Sequence, residues 1–184
     1  MDEIRFRAAD DRDSDRIADL HADSWRRFYR GAYSDSFLDG DLVTDRRVAW
    51  TDRLAAPGGT ATIVAERERL VGFVHVVFDH DPRWGSLLYN LHVVHDQRGS
   101  GIGRELLSRA GEAVADGAES AGMFLWVLEQ NTAAQGFYRA CGGVQTERRP
   151  VPPPGGDPGR LTGDPYCLRM VWPDVGLFAG RHDG

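Results

Sequence analysis

The chain contains no lysine. All 22 of its Lys/Arg positions are arginine, set against 28 Asp and Glu, and the formal net charge is −6. A protein that binds nucleic acid by neutralising phosphates needs the opposite balance. That class is set aside, although a small local phosphate site stays open. Cysteine is nearly absent as well. Cys141 and Cys167 are too few for a disulfide scaffold and lack the spacing of a metal site. They read as reduced, partly buried thiols. No apolar run approaches the ~20 residues that cross a bilayer. The start, Met1-Asp-Glu-Ile-Arg-Phe6, has neither a basic leader nor an apolar signal segment. The expectation is a cytoplasmic protein with no metal, no membrane and no nucleic-acid partner.

What is present suits one globular domain. The 184 residues are 41% hydrophobic, enough to bury a core. The whole chain, 1–184, reads as a single domain with its core over about 4–172. Residues 4–8 alternate and predict a first strand. Ser14 is placed to cap a helix with Ile17, Leu20, His21, Trp25 and Phe28 on one face, ended by Gly31. Residues 32–41 predict irregular chain or a short helix. Thr44 is placed to cap a second helix to about Leu54, stopped by Pro57-Gly58-Gly59. Residues 61–66 and 70–78 predict a hairpin, 79–85 a loop, and 86–94 a strand. A helix over about 101–116 follows, with Ile102, Leu106, Leu107, Ala110 and Val114 at helical spacing. The continuous apolar run 123–128 predicts a buried strand. Asn131 or Thr132 then caps a helix to about Ala140, and strands at 144–148 and 166–171 close the order. Between them, 150–165 is a loop dense in Pro and Gly. The tail, 173–184, is expected to be poorly ordered.

The segment between the strand at 86–94 and the helix at 101–116 carries the chemistry. A strand running through glycines straight into a helix aims backbone N–H groups and a positive helix end at one point, which suits a pyrophosphate. Two well-known forms of that device do not fit. The dinucleotide fingerprint needs a third glycine where this chain has Arg104 or Leu106, and the nucleotide P-loop needs a lysine. Arg98-Gly99-Ser100-Gly101-Ile102-Gly103 instead matches the Arg/Gln-x-x-Gly-x-Gly pattern of the GNAT N-acetyltransferase superfamily. Leu125-Trp-Val-Leu-Glu-Gln-Asn131 and Ala134-Gln-Gly-Phe-Tyr138 resemble the family's second half, and the likeness spans roughly residues 4–149. One departure is Gly142-Gly143, where the family usually has Gly-Phe; it removes an aromatic packing residue.

The resemblance implies an α/β fold: a mixed, mostly antiparallel central sheet of about seven strands, with a splayed parallel pair and helices on both faces. It implies acetyl-CoA as co-substrate and transfer of the acetyl group to a primary amine by direct attack. The diphosphate would lie on Arg98, Gly99, Ser100, Gly101, Ile102, Gly103 and Arg104. The backbone of Leu91, His92 and Val93 would pair with the pantetheine arm, and Asn131 would bond that arm while capping its helix. Tyr138 would protonate the leaving thiolate. The Glu that some relatives use as base aligns with Trp126, so the base is unassigned; Glu129, His92 and His75 are the nearby titratable groups. Trp25, Phe28, Tyr29 and Tyr33 are candidates for the acceptor side. The acceptor would be a small molecule or a peptide amine, and the acidic chain leans toward a cationic one. Cys141 has no evident His partner, so no covalent intermediate is expected. A homodimer through the last strands or the 150–165 loop is a further expectation. The alternatives are a non-catalytic acyl-CoA sensor and an enzyme using another acyl-CoA, such as succinyl-CoA.

Overall fold

A computed structural model describes residues 3–178. Among them seven strands form: β1 (Arg5–Ala8), β2 (Thr60–Glu66), β3 (Leu70–Asp81), β4 (Gly85–Val93), β5 (Met123–Leu128), β6 (Val144–Pro150) and β7 (Tyr166–Trp172). They build one sheet in the order β1-β2-β3-β4-β5-β7-β6. Every neighbouring pair is antiparallel except β4 and β5, which are parallel. Five α-helices accompany it: α1 (Ser14–Phe28), α2 (Asp35–Asp39), α3 (Leu42–Ala55), α4 (Ile102–Gly117) and α5 (Thr132–Ala140). The mixed sheet with helices on both faces is as the order of elements predicts, and the single parallel pair is as the family resemblance implies.

Alternation along the strands divides the core. On one face, α4 lays Ile102, Leu106, Leu107, Ala110 and Val114 against Val74, Val76, Leu88, Met123, Leu125, Met170 and Trp172. On the other, α1 and α3 bring Ile17, Leu20 and Trp50 onto Val64 and Phe73. Nearby, Trp25 of α1 and Leu38 of α2 meet Leu128, Val151 and Cys167. Both cysteines are buried. Among the described residues, no helix is long and apolar enough to cross a membrane.

The boundaries depart from the sequence pattern where distant groups set them. Ser14 does not cap α1. The chain enters it from a 3₁₀ turn, Asp11–Asp13, which Asp10 caps by accepting the Arg12 N–H at 3.0 Å while Asp13 accepts the Asp10 N–H at 2.9 Å; the N-cap of α1 is Asp13, which makes no side-chain cap bond to it. Thr44 lies inside α3, which starts after Asp41 with no side-chain cap. Most of the expected 79–85 loop is strand. Asp79 takes φ +47° and accepts the N–H groups of Glu119 and Ser120 at 2.8 and 2.9 Å. The Asp81 carboxylate then ties the turn through Arg83 and Trp84. The expectation of a poorly ordered tail fails at its beginning. Val175–Phe178 is a 3₁₀ turn whose Val175 and Phe178 are buried in the α4 core. The rest of the expected tail, 179–184, lies outside the described residues. The 150–165 loop contains two short 3₁₀ turns, Pro154–Gly156 and Pro158–Arg160. It is pinned to the α1–α2 connection, where Ser34 and Thr162 donate backbone N–H bonds to Arg160 and Ala32, both at 2.9 Å.

Candidate active site

The parallel pair is barely a pair. β4 and β5 are in register only at Ser86↔Met123 and Leu87↔Phe124, after which the strands part. A bulge accompanies the parting: His75 pairs with Asn90 and Val76 with Leu88, so Tyr89 has no partner in β3. An extra residue of this kind bends a strand and re-aims its side chains. The gap is a cavity of about 450 Å³, walled by residues 88–93 of β4, 125–128 of β5, α5, the loop before α4 and the end of α1.

The glycine loop forms one end of this cavity. Gly99 and Gly101 have φ +81° and +87°, a region L side chains rarely adopt, and a Cβ on either would meet nothing within 4 Å. The backbone therefore requires glycine and leaves the space in front of it open. Gly101 is the N-cap of α4 and offers no side-chain cap. The first-turn N–H groups of Ile102, Gly103 and Arg104 thus have no partner inside the helix. Arg98 and Arg104 stand in the same wall. Arg98 stacks on Phe28, 3.9 Å from the ring centroid. Burial lowers its pKa from the ordinary value, opposed by Tyr138. Two loop residues do not put side chains into the cavity. The Ser100 hydroxyl donates to the Gln97 carbonyl at 2.6 Å and its N–H points to the same oxygen at 3.4 Å. The Ile102 side chain is 2% exposed, in the core. Unpaired N–H groups at a helix start, two guanidinium groups and open space are what a diphosphate needs.

The opposite wall comes from β5 and α5. Asn131 caps α5, its Oδ1 accepting the Ala134 N–H at 3.2 Å, and also lines the cavity. The Gln135 amide donates to the carbonyls of Leu128 and Glu129 at 3.1 and 2.8 Å, fixing α5 on the end of β5. Tyr138 reaches the cavity from this helix, only 8% exposed. Burial raises its phenol above the ordinary value, so it is protonated at neutral pH. Gly143 has a physical reason to lack the family's aromatic side chain: a Cβ there would sit 2.8 Å from the indole of Trp172.

Titratable groups near the cleft are poorly placed as bases. Trp126 lines the wall, with the guanidinium of Arg149 3.7 Å and that of Arg169 4.6 Å from its ring. Glu129 is exposed and held by Arg148 at 2.8 and 2.9 Å, which lowers its pKa. His92 lines the cavity, but burial brings it down to about 3. His75 lies outside the wall, bonded to Thr62 Oγ1 at 2.7 Å, and falls to about 4 through burial. Among the described residues no Asp or Glu lines the cavity, so their negative charge is not focused there. Of the four aromatic residues expected on the acceptor side, Phe28 and Tyr29 reach the cavity. Trp25 and Tyr33 pack edge-on at 5.1 Å in the core behind them. Sequence reasoning missed Tyr89, Asn90, Gln97 and Phe137, all in the wall. Asn90 carries a readable signal: it is a polar residue inside the apolar strand Leu87–Val94.

Known proteins place this geometry. The family model "Acetyltransferase (GNAT) family" matches residues 16–142. A Mycobacterium tuberculosis protein named as a probable N-acetyltransferase is 30% identical over 139 residues, covering 73% of this chain and 76% of its own. The structure of the PaiA N-acetyltransferase from Thermoplasma acidophilum, in complex with coenzyme A, aligns with TM-score 0.70 at 17% identity over 92% of this chain and 99% of that one. A mutant of the spermidine N-acetyltransferase SpeG from Vibrio cholerae aligns with TM-score 0.65 at 17% identity over 98% of each chain.

Proposed function

The chain belongs to the GNAT acetyltransferase family, and on that premise we propose that it moves an acetyl group from acetyl-CoA to a primary amine by direct attack. The observation that carries this reading is the seam between β4 and β5: open past Leu87, ended by the glycine loop, and walled by Tyr138. Acetyl-CoA supplies an activated thioester, and the residues present fit it. The N–H groups of Ile102, Gly103 and Arg104, with Arg98 and Arg104, hold the diphosphate. The edge of β4 at Leu91, His92 and Val93 faces the gap and takes the extended arm as an added strand. Asn131 bonds that arm from the other side.

An amine in the cleft attacks the thioester carbonyl, a C–N bond forms, and the C–S bond breaks. Tyr138 donates a hydrogen bond to the departing sulfur. Its raised pKa makes it a weaker acid than a thiol of pKa ~8.5, so it steadies the thiolate rather than surrendering its proton for good. The amine must arrive neutral, because the described residues of the cleft wall include no carboxylate and His92 is a very weak base. That favours an acceptor of low pKa, such as an α-amine near ~8, over a lysine-like amine near ~10.4.

The test is thiol release from acetyl-CoA, followed with a chromogenic thiol reagent across amino acids, peptide N-termini, polyamines and aminated antibiotics. Release with at least one amine and formation of its acetyl amide support the reading. Tight acetyl-CoA binding with no release from any of them identifies the chain as a non-catalytic sensor.

A further inference from the structure

Behind the β4 wall lies a line of buried polar side chains that the reaction above leaves unused. Trp50 Nε1 donates to His21 Nδ1 at 3.0 Å, and His21 Nε2 lies 3.4 Å from the amide terminus of Asn90. His21 is fully buried and Asn90 is 7% exposed. An indole N–H is a donor only, so Nδ1 of His21 is the accepting nitrogen and a neutral ring carries its hydrogen on Nε2. His21 is held neutral: burial keeps its pKa well below the ordinary value, and His92, Arg46 and Arg53 push the same way. An N–H facing another N–H makes no bond. The Asn90 amide therefore turns its oxygen to His21 and its NH2 the other way. That other terminal position is buried without a hydrogen-bond partner. Asn90 lines the cleft, next to the bulged Tyr89 and close to where β4 and β5 meet at Leu87.

We propose that the Asn90 amide donates to the carbonyl oxygen of the acyl thioester, making Asn90 a catalytic residue held in register by His21 and Trp50. The inference rests on the acyl-transfer reading. A carrier anchored at Gly99–Arg104 extends along β4 past Val93 and Leu91, which brings its reactive end toward Asn90. As the amine lone pair forms the C–N bond, the carbonyl π pair moves onto oxygen. When the carbonyl re-forms, the C–S bond breaks, the sulfur leaves with the electron pair, and the amine's extra proton passes to solvent. A donor that is already oriented before charge develops is what stabilises such an oxygen. Here orientation comes from the side chains behind it, since His21 accepts from Trp50 on one nitrogen and donates to Asn90 from the other.

Isotope-edited infrared spectroscopy of bound [1-13C]acetyl-CoA tests this with no acceptor present. The wild-type carbonyl band is expected below the free thioester band. In Asn90→Asp, which keeps an oxygen for His21 but removes the donor, the band returns toward the free position. Asn90→Ala is expected to do the same. The Kd for acetyl-CoA, read by calorimetry, changes less than threefold in both. With a working amine, kcat falls roughly 10²–10³-fold while the amine KM stays within threefold. A wild-type band at the free position, or an equal shift in wild type and Asn90→Asp, overturns this inference while leaving the acyl-transfer reading intact. Failure of wild type to bind acetyl-CoA overturns both.

Discussion

On the acyl-transfer reading, Tyr138 is the side chain that would meet the leaving group, and its environment sets how large its effect can be. The phenol is buried, neutral and less acidic than usual, facing a leaving group that is already tolerable. Positioned acid help is typically worth ~10²–10⁴ in rate, and a hydrogen bond without full proton transfer belongs at the low end. Tyr138→Phe is expected to lower kcat by about 10²-fold with little change in acetyl-CoA affinity, measured by steady-state kinetics beside calorimetry. A loss of less than threefold would remove Tyr138 from the mechanism. The same residue-scale bookkeeping sets the pH profile. His92, at about 3, is deprotonated throughout the physiological range, so it contributes no rising limb between pH 5 and 9. The rate should follow the neutral fraction of the acceptor, increasing about tenfold per pH unit until the amine's own pKa is reached. Two acceptors of different pKa should give displaced profiles. A common inflection near pH 6–7 for both would point to a protein base.

At the scale of elements, the start of α1 is locked to β1 and β2 by one ionic cluster. Arg7 reaches Asp13 at 2.7 and 3.0 Å and Glu66 at 3.0 Å, and Arg16 and Arg5 join from either side. Burial pushes Asp13 upward, but the bonds from Arg7, the Asp10 N–H and Arg16 outweigh it and bring it to about 2. Bonds from Arg7 and Arg5 bring Glu66 to about 2. Both folded values lie below the unfolded ones, near 3.9 and 4.3, so the unfolded chain binds more protons as pH falls. The stability these groups supply is complete above pH ~5 and is lost progressively as pH falls toward ~2. The urea midpoint should fall steeply over that window, and Asp13→Asn should show a lower midpoint at neutral pH with a flatter acid limb. An acid limb as steep as wild type would show that the cluster does not drive the loss. This cluster also explains why sequence reading placed elements better than their ends. The apolar periodicity of α4 and the apolar run of β5 lie within each element, and both were legible to within a residue. The chain enters α1 from a 3₁₀ turn that Asp10 caps, and the end of β3 depends on Asp79 bonding to residues 40 and 41 positions away. The site divides in the same way. Gly99, Gly101, Asn131 and Tyr138 lie in contiguous motifs, whereas Asn90 enters through a bulge and a bond to His21, 69 positions earlier.

For the molecule as a whole, the sheet is two sheets nearly separated. The meander β1–β4 and the trio β5-β7-β6 share only two register pairs, and the open seam between them is where an extended ligand would bond to both sides. Because this chain has no lysine, its acceptor assays carry no self-acetylation of lysine. More generally, a ligand that closes the seam should stabilise the entire fold. At a free concentration 100 times its Kd, a ligand that binds only the folded state adds about 2.7 kcal/mol. In a domain of this size each kcal/mol moves the melting temperature by roughly 2–4 °C. Acetyl-CoA at that level should therefore raise the Tm by about 5–10 °C in a single cooperative transition. Gly101→Val forces a side chain onto a backbone at φ +87° and into the open space before α4, so it should abolish the increment and lower the Tm of the unliganded protein. An unchanged wild-type Tm at saturating acetyl-CoA would mean that nothing bridges the seam, and the diphosphate cradle would lose its ligand.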